Sequence, residues 1–170
     1  MGMVTFVVVA LMAALAAVFQ PAVAQNLSVG SVFPDAATAC LVVAGLLLGP
    51  TEALAIGFLV GVISVTQIGH VGLGGLLVAR SVVGLLAGFA SARVFIHSVV
   101  TQMAAVLAGV LISEAILFVF SPDATVGPWM GAAGGRALLS ALIAPLFFRI
   151  ANGVAAWEMG DAHRPGLGPP

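Results

Sequence analysis

Long runs of apolar residues follow one another along almost the entire chain, and only Arg80 and Glu114 place a charge deep inside them. Charged residues make up 6% of the 170 residues, whereas soluble domains carry roughly a quarter. A chain this apolar cannot cover itself with a surface that water solvates. The runs are also continuous, whereas the strands of a transmembrane β-barrel alternate apolar and polar residues. The sequence therefore predicts an all-α, polytopic membrane protein.

Breaks in hydropathy predict about six transmembrane helices in a single domain, residues 1–156, followed by a flexible tail, residues 157–170. A bilayer core about 30 Å thick needs about 20 apolar residues per helix. The second run is shorter, so its helix is expected to start earlier, to be buried by its neighbours or to thin the bilayer locally. A Gly- and Pro-rich loop is expected before the sixth helix. The expected spans are residues 3–24, 36–49, 53–68, 73–92, 99–120 and 137–156.

The N-terminal run also has the form of a secretory signal peptide, because Ala22-Val23-Ala24 imitates a cleavage site. The segment before it carries no Lys or Arg, so we favour an uncleaved first helix. Six spans put both termini on one side, together with Arg93, Arg149 and Arg164, whereas the opposite side holds Arg136. The positive-inside rule then places both termini in the cytoplasm.

Arg80 and Glu114 are candidates for an ion pair inside the membrane. At about 1.5 Å per residue, both lie roughly 10 Å below the outer surface, on helices joined by a short turn. An unpaired charge at this depth costs a few kcal/mol. The two residues form a proton or substrate relay, or a structural clip, or they face a polar groove. We favour the clip or the groove over the relay, because no third titratable group is expected at that depth in a neighbouring span.

Two other carboxylates are expected at helix starts. Asp35 follows Pro34, and Glu52 follows Pro50 and Thr51. An acidic side chain at such a position accepts hydrogen bonds from free backbone amides and favours the helix dipole. We therefore expect both residues to cap helices.

Small residues recur at four-residue spacing in three of the predicted helices. In lipid, such spacing lets two helix backbones approach closely. The contact is either packing within this chain, which we favour for any single motif, or docking to a partner helix. The residues are Gly57 and Gly61, Gly84 and Gly88, and Ala10, Ala13, Ala14 and Ala17.

The sequence offers no pattern for catalysis, cofactors or metals. It contains no nucleotide-binding, hydrolase or metalloprotease motif, and its three histidines have no metal-ligand spacing. Cys40 is the only cysteine and is expected to pack as a small apolar residue. The chain has no lysine, so no basic face for nucleic acid is expected. We expect a protein that is not an enzyme and holds no cofactor.

The order of these features resembles the rod shape-determining protein MreD family. The resemblance extends over residues 32–150. Such proteins often carry an acidic residue just after the G-F-L-x-G stretch, whereas Ser64-Val65-Thr66 fills that region here without a carboxylate. The segments that carry the resemblance are Val32-Phe33-Pro34-Asp35, Leu47-Leu48-Gly49-Pro50, Gly57-Phe58-Leu59-Val60-Gly61-Val62-Ile63, Val71-Gly72-Leu73-Gly74, Val83-Gly84-Leu85-Leu86-Ala87-Gly88, Leu111-Ile112-Ser113-Glu114 and Ala137–Leu146.

The resemblance implies a six-helix bundle in the bacterial inner membrane that pairs with the one-span protein MreC. Together they would form a scaffold that positions and activates the peptidoglycan glycosyltransferase–transpeptidase complex of cell elongation. An alternative is the substrate-binding S component of an energy-coupling-factor vitamin transporter, which looks related in fold. Its docking face on the first helix resembles the alanines at 10, 13, 14 and 17. Against this alternative, a vitamin site needs convergent polar and aromatic groups, and the chain has no Tyr.

Overall fold

The computed structural model describes residues 3–28, 32–68, 73–91, 98–120 and 125–162, and these form a bundle of six helices. Five of them are long and apolar enough to cross a membrane, which confirms the predicted all-α polytopic class. The helices are α1 (Met3–Asn26), α2 (Ala36–Leu48), α3 (Pro50–Ile68), α4 (Leu73–Ser91), α5 (Val99–Val119) and α6 (Val126–Ala162).

The short helix α2 lies at the centre of the bundle. Its 13 residues extend over about 20 Å, too little to cross a bilayer core of about 30 Å. It contacts all five other helices, and every residue from Ala36 to Leu46 is buried. Of the three expectations for the second run, burial by its neighbours is therefore the one observed. An apolar sequence on every face of α2 fits this position, because no face meets water.

Glycines bring α3 and α4 into backbone contact. A Cβ atom at Gly57 would lie 2.5 Å from the carbonyl oxygen of Arg80, and one at Gly61 would lie 3.0 Å from the Leu77 side chain. In the same way, a side chain at Gly84 would overlap the Ala53 carbonyl, and one at Gly88 would overlap Pro50. These four glycines thus pack within this chain. They fix α3 antiparallel to α4, with the start of α3 against the end of α4.

The sixth helix begins eleven residues earlier than the predicted position 137. The prediction of a Gly- and Pro-rich loop directly before that position is therefore wrong. Pro128 lies in the first turn, where a missing backbone N–H costs no helical hydrogen bond. The helix also continues to Ala162, which makes residues 157–162 helical instead of part of a flexible tail. Residues 163–170 lie outside the described part of the chain, as do Arg93 and Arg164 of the orientation argument.

Candidate functional site

One end of the bundle holds both ion pairs together with several other polar side chains, and we call it the polar end. Here α1, α3 and α5 end and α2, α4 and α6 begin. The residues that define it are Gln20, Asp35, Gln67, Arg80, Glu114, Arg136 and Ser140.

Asp35 and Arg80 form a buried, two-pronged ion pair at the polar end. Arg80 Nη1 lies 2.8 Å from Asp35 Oδ2, and Nη2 lies 3.2 Å from Oδ1. The two side chains are only 10% and 7% exposed, respectively. A bidentate arginine–carboxylate contact fixes direction as well as charge. It ties the start of α2 to α4 at a depth where an unpaired charge would be costly.

Asp35 also caps α2, as the sequence predicts. Its Oδ1 accepts a 2.9 Å hydrogen bond from the Thr38 backbone N–H, and its Oδ2 accepts one of 2.6 Å from the Thr38 hydroxyl. The Asp35 backbone N–H donates to Ser140 Oγ on α6 at 2.8 Å. A single residue therefore closes the first turn of α2 and joins it to α4 and α6.

A second ion pair joins α5 to α6. Arg136 Nη1 lies 3.0 Å from Glu114 Oε1, with side chains 29% and 9% exposed. The guanidinium of Arg136 also stacks on the ring of Phe33, 4.4 Å from its centroid. The Ser140 hydroxyl accepts the hydrogen bond from the Asp35 backbone N–H and donates one of 2.7 Å to the backbone carbonyl of Arg136. The two ion pairs are thus connected through Ser140.

The predicted pairing of Arg80 with Glu114 is wrong, since each charge has another partner. The expectation compared only α4 and α5, which are neighbours in sequence. It placed Arg136 outside the membrane, because α6 was expected to begin after it. With α6 starting at Val126, Arg136 lies about three turns into the helix, opposite Glu114. The central position of α2 brings Asp35 to Arg80.

The other predicted residues take no part in the ion pairs. Glu52 is exposed in the first turn of α3, where its charge favours the helix dipole. On α1, Ala13 and Ala17 are fully buried against the core, whereas Ala10 and Ala14 are half-buried. Half of the alanine face proposed for docking is therefore covered by this chain's own helices.

A cavity of about 290 Å³ lies beside Arg80, between the ends of α1 and α3 and the start of α4. Its lining includes Phe33, Ser64, Gln67 and Arg80. Of these four residues, the sequence predicts a role only for Arg80. The signal that could have found the cavity is a polar side chain near the end of each apolar run, at Gln20 and Gln67. In a membrane helix such groups face the bundle or an interface.

The ion pair between Glu114 and Arg136 is expected to contribute less stability than the one between Asp35 and Arg80. Arg136 is partly exposed, so water and headgroups can solvate its charge after the carboxylate is removed. We expect Glu114→Gln to lower the free energy of unfolding by about 1–2 kcal/mol. Chemical unfolding in detergent micelles measures it. A loss as large as that of Arg80→Met would contradict this ranking.

No protein family, curated protein or solved structure matches this chain in comparisons with known proteins. Within the described residues, no group of three or more His, Cys, Asp or Glu side chains could hold a metal ion.

Proposed function

We propose that this chain is a non-catalytic scaffold of MreD type in the bacterial cytoplasmic membrane, with both termini in the cytoplasm. It pairs with an MreC-like one-span protein. The pair positions and activates the peptidoglycan glycosyltransferase–transpeptidase complex of cell elongation. On this proposal the chain acts through the surfaces it offers to other helices and turns over no substrate.

The observation that carries the proposal is that the charges deep in the bundle form ion pairs within this chain. Asp35 with Arg80, and Glu114 with Arg136, neutralise each other and fasten four helices together. Charges held this way suit a rigid clip better than a relay, because a relay needs a group that can change partner or proton. The order of sequence segments from residue 32 to residue 150 supplies the assignment to this family.

An apolar groove of about 460 Å³ along α1 and α6 offers a place for a partner helix. Leu11, Leu15 and Phe19 of α1 line one side, and Phe147 of α6 lines the other. Ala16 contributes a small side chain to the groove. Small residues let a second helix approach closely in lipid, where van der Waals contact drives association. We assign the single span of the MreC-like partner to this groove.

Site-specific photocrosslinking tests the assignment in intact cells. A photoreactive residue at Leu15, in the groove, is expected to crosslink to a one-span membrane protein with a periplasmic domain. The matched control is Phe89 on α4, which is also exposed, at 60% against 46% for Leu15, but does not line the groove. Loss of rod shape on depletion of the chain is expected alongside. Equal crosslinking at both positions, or unchanged cell shape, would contradict the proposal.

The cavity beside Arg80 favours a second candidate, the S component of a vitamin transporter. A half-open cavity with a few polar groups is what a substrate site requires. The burial of Ala13 and Ala17 counts against it, because these alanines would have to be free to dock on a transport subunit. Co-purification with an ATPase and its membrane coupling protein, together with nanomolar vitamin binding, would favour transport over the scaffold.

A further inference from the structure

We propose that the cavity beside Arg80 is a water-filled vestibule, through which water enters the bundle from the polar end. This access of water does not depend on the partner with which the chain assembles. The cavity is half-open, and its lining begins at Ala24 and Gln67, within two residues of the ends of α1 and α3. It extends to Arg80, which lies seven residues, or about 10 Å, into α4.

The lining of this cavity differs from that of two other spaces in the bundle. Apolar residues and glycine alone line the groove along α1 and α6 and a crevice of about 140 Å³ between α2, α4 and α5. Apolar cavities stay dry, whereas a polar cavity with enough room holds water. In a membrane, acyl chains therefore suit the two apolar spaces, and water suits the cavity beside Arg80. Its polar lining residues are Gln20, Ser64, Gln67 and Arg80.

Three of these polar side chains keep hydrogen-bonding groups that water can satisfy. Gln67 donates its amide to a backbone carbonyl of α1, which leaves its own side-chain oxygen able to accept. The Ser64 hydroxyl donates to a carbonyl of its own helix and retains lone pairs. Gln20 uses one of its two amide N–H donors on the Pro34 carbonyl. An acyl chain in the cavity would leave these groups unsatisfied, which is unfavourable.

The volume of the cavity also fits water. A volume of about 290 Å³ has room for several water molecules, each of which takes up about 30 Å³ in the liquid. Such waters bond to each other as well as to the polar side chains, so a few polar groups are enough to hold them.

The backbone beside the cavity favours the same occupant. Residues 32–35 are not helical, and Asp35 at their end contacts Arg80, so this segment lies inside the bundle. Inside a membrane, non-helical backbone is tolerated only where protein buries it or where it lines a water-filled cavity. Pro34 and Asp35 are buried, whereas Phe33 lines the cavity. The segment therefore meets both conditions if the cavity holds water.

Cysteine reactivity in lipid nanodiscs tests the proposal, in a Cys40→Ala background that removes the native thiol. The probe is methyl methanethiosulfonate, a small uncharged reagent that reaches both faces of a nanodisc. It reacts with thiolates, which form in water and not in hydrocarbon. Ser64→Cys places a thiol in the cavity, and Val62→Cys, two residues away on α3, places one outside it. Ser64→Cys is expected to react faster by about tenfold or more.

A second pair of variants on α4 repeats the comparison. Leu76→Cys lies in the cavity, and Val78→Cys is its control outside the cavity. In both pairs the cavity residue is 7% exposed, whereas the controls Val62 and Val78 are 41% and 42% exposed. Exposure alone would therefore predict the opposite order of rates. The pair on α4 decides the question if a variant on α3 does not fold.

Filling the cavity distinguishes entry of the reagent through it from local opening of the helices. Ala24 lines the cavity from α1, so Ala24→Phe is expected to slow both cavity variants to the rates of their controls. Ala22→Phe, at an exposed position of the same helix, should leave the rates unchanged. Cavity variants that react no faster than their controls would mean that an acyl chain fills the space, which would overturn the proposal. Rates that Ala24→Phe leaves unchanged would overturn it as well.

Discussion

Replacing Arg80 by methionine is expected to lower the free energy of unfolding by about 3–5 kcal/mol. The change leaves the Asp35 carboxylate buried without its cation. The hydrogen bonds from Thr38 remain, but they do not neutralise the charge. Methionine is an unbranched side chain that fills irregular space, so little of the loss should come from an empty volume. Equilibrium unfolding in detergent micelles, followed by circular dichroism, measures the effect.

Two further variants separate charge from packing. Arg149→Met makes the same substitution at an exposed position of α6 and is expected to change stability by no more than about 0.5 kcal/mol. Asp35→Asn combined with Arg80→Met should recover most of the loss, because asparagine still caps α2 and no charge is left unpaired. If the double variant were as unstable as Arg80→Met alone, burial of the carboxylate would not be the cause.

Adding one methyl group at Gly84 is expected to destabilise the bundle by about 2–3 kcal/mol. The new Cβ would overlap the carbonyl of Ala53 on α3, and backbone cannot move aside as a flexible side chain can. The helices α3 and α4 would have to separate, which removes van der Waals contact along their whole interface. The Gly84→Ala variant is compared with the wild type by thermal unfolding in the same detergent.

Gly134 on α6 provides the matched control, since a Cβ there would meet nothing within 4 Å. Gly134→Ala is expected to be neutral or to stabilise by up to about 1 kcal/mol, because alanine is the better helix former. Equal stability of the two alanine variants would mean that α3 and α4 do not pack through Gly84.

The sequence predicts the bounds of the long helices well, because the type of residue changes where each helix begins and ends. Apolar runs end where polar, Gly or Pro residues begin, and the bounds of α3, α4 and α5 agree with the predicted spans within three residues at each end. The cap at Asp35 is equally local, since a carboxylate three residues before Thr38 can reach its backbone N–H. Features that depend only on residues close together in the sequence can therefore be predicted without a structure.

The ion pairs cannot be predicted from the sequence alone, because they depend on which helices contact each other. Asp35 and Arg80 are 45 positions apart, and only the central position of α2 brings them together. The partner of Glu114 was missed for a local reason. Gly127 and Pro128 indicate a loop in isolation, yet they lie in the first turn of α6, where both residues are tolerated.

Two double-mutant cycles on Arg80 test whether the deep charges are neutralised in the pairs Asp35–Arg80 and Glu114–Arg136. Unfolding free energies should show strong coupling, of about 2–3 kcal/mol, between Arg80→Met and Asp35→Asn. They should be additive within about 0.5 kcal/mol for Arg80→Met and Glu114→Gln. Strong coupling of Arg80 with Glu114, and none with Asp35, would contradict the arrangement of helices on which the proposed scaffold depends.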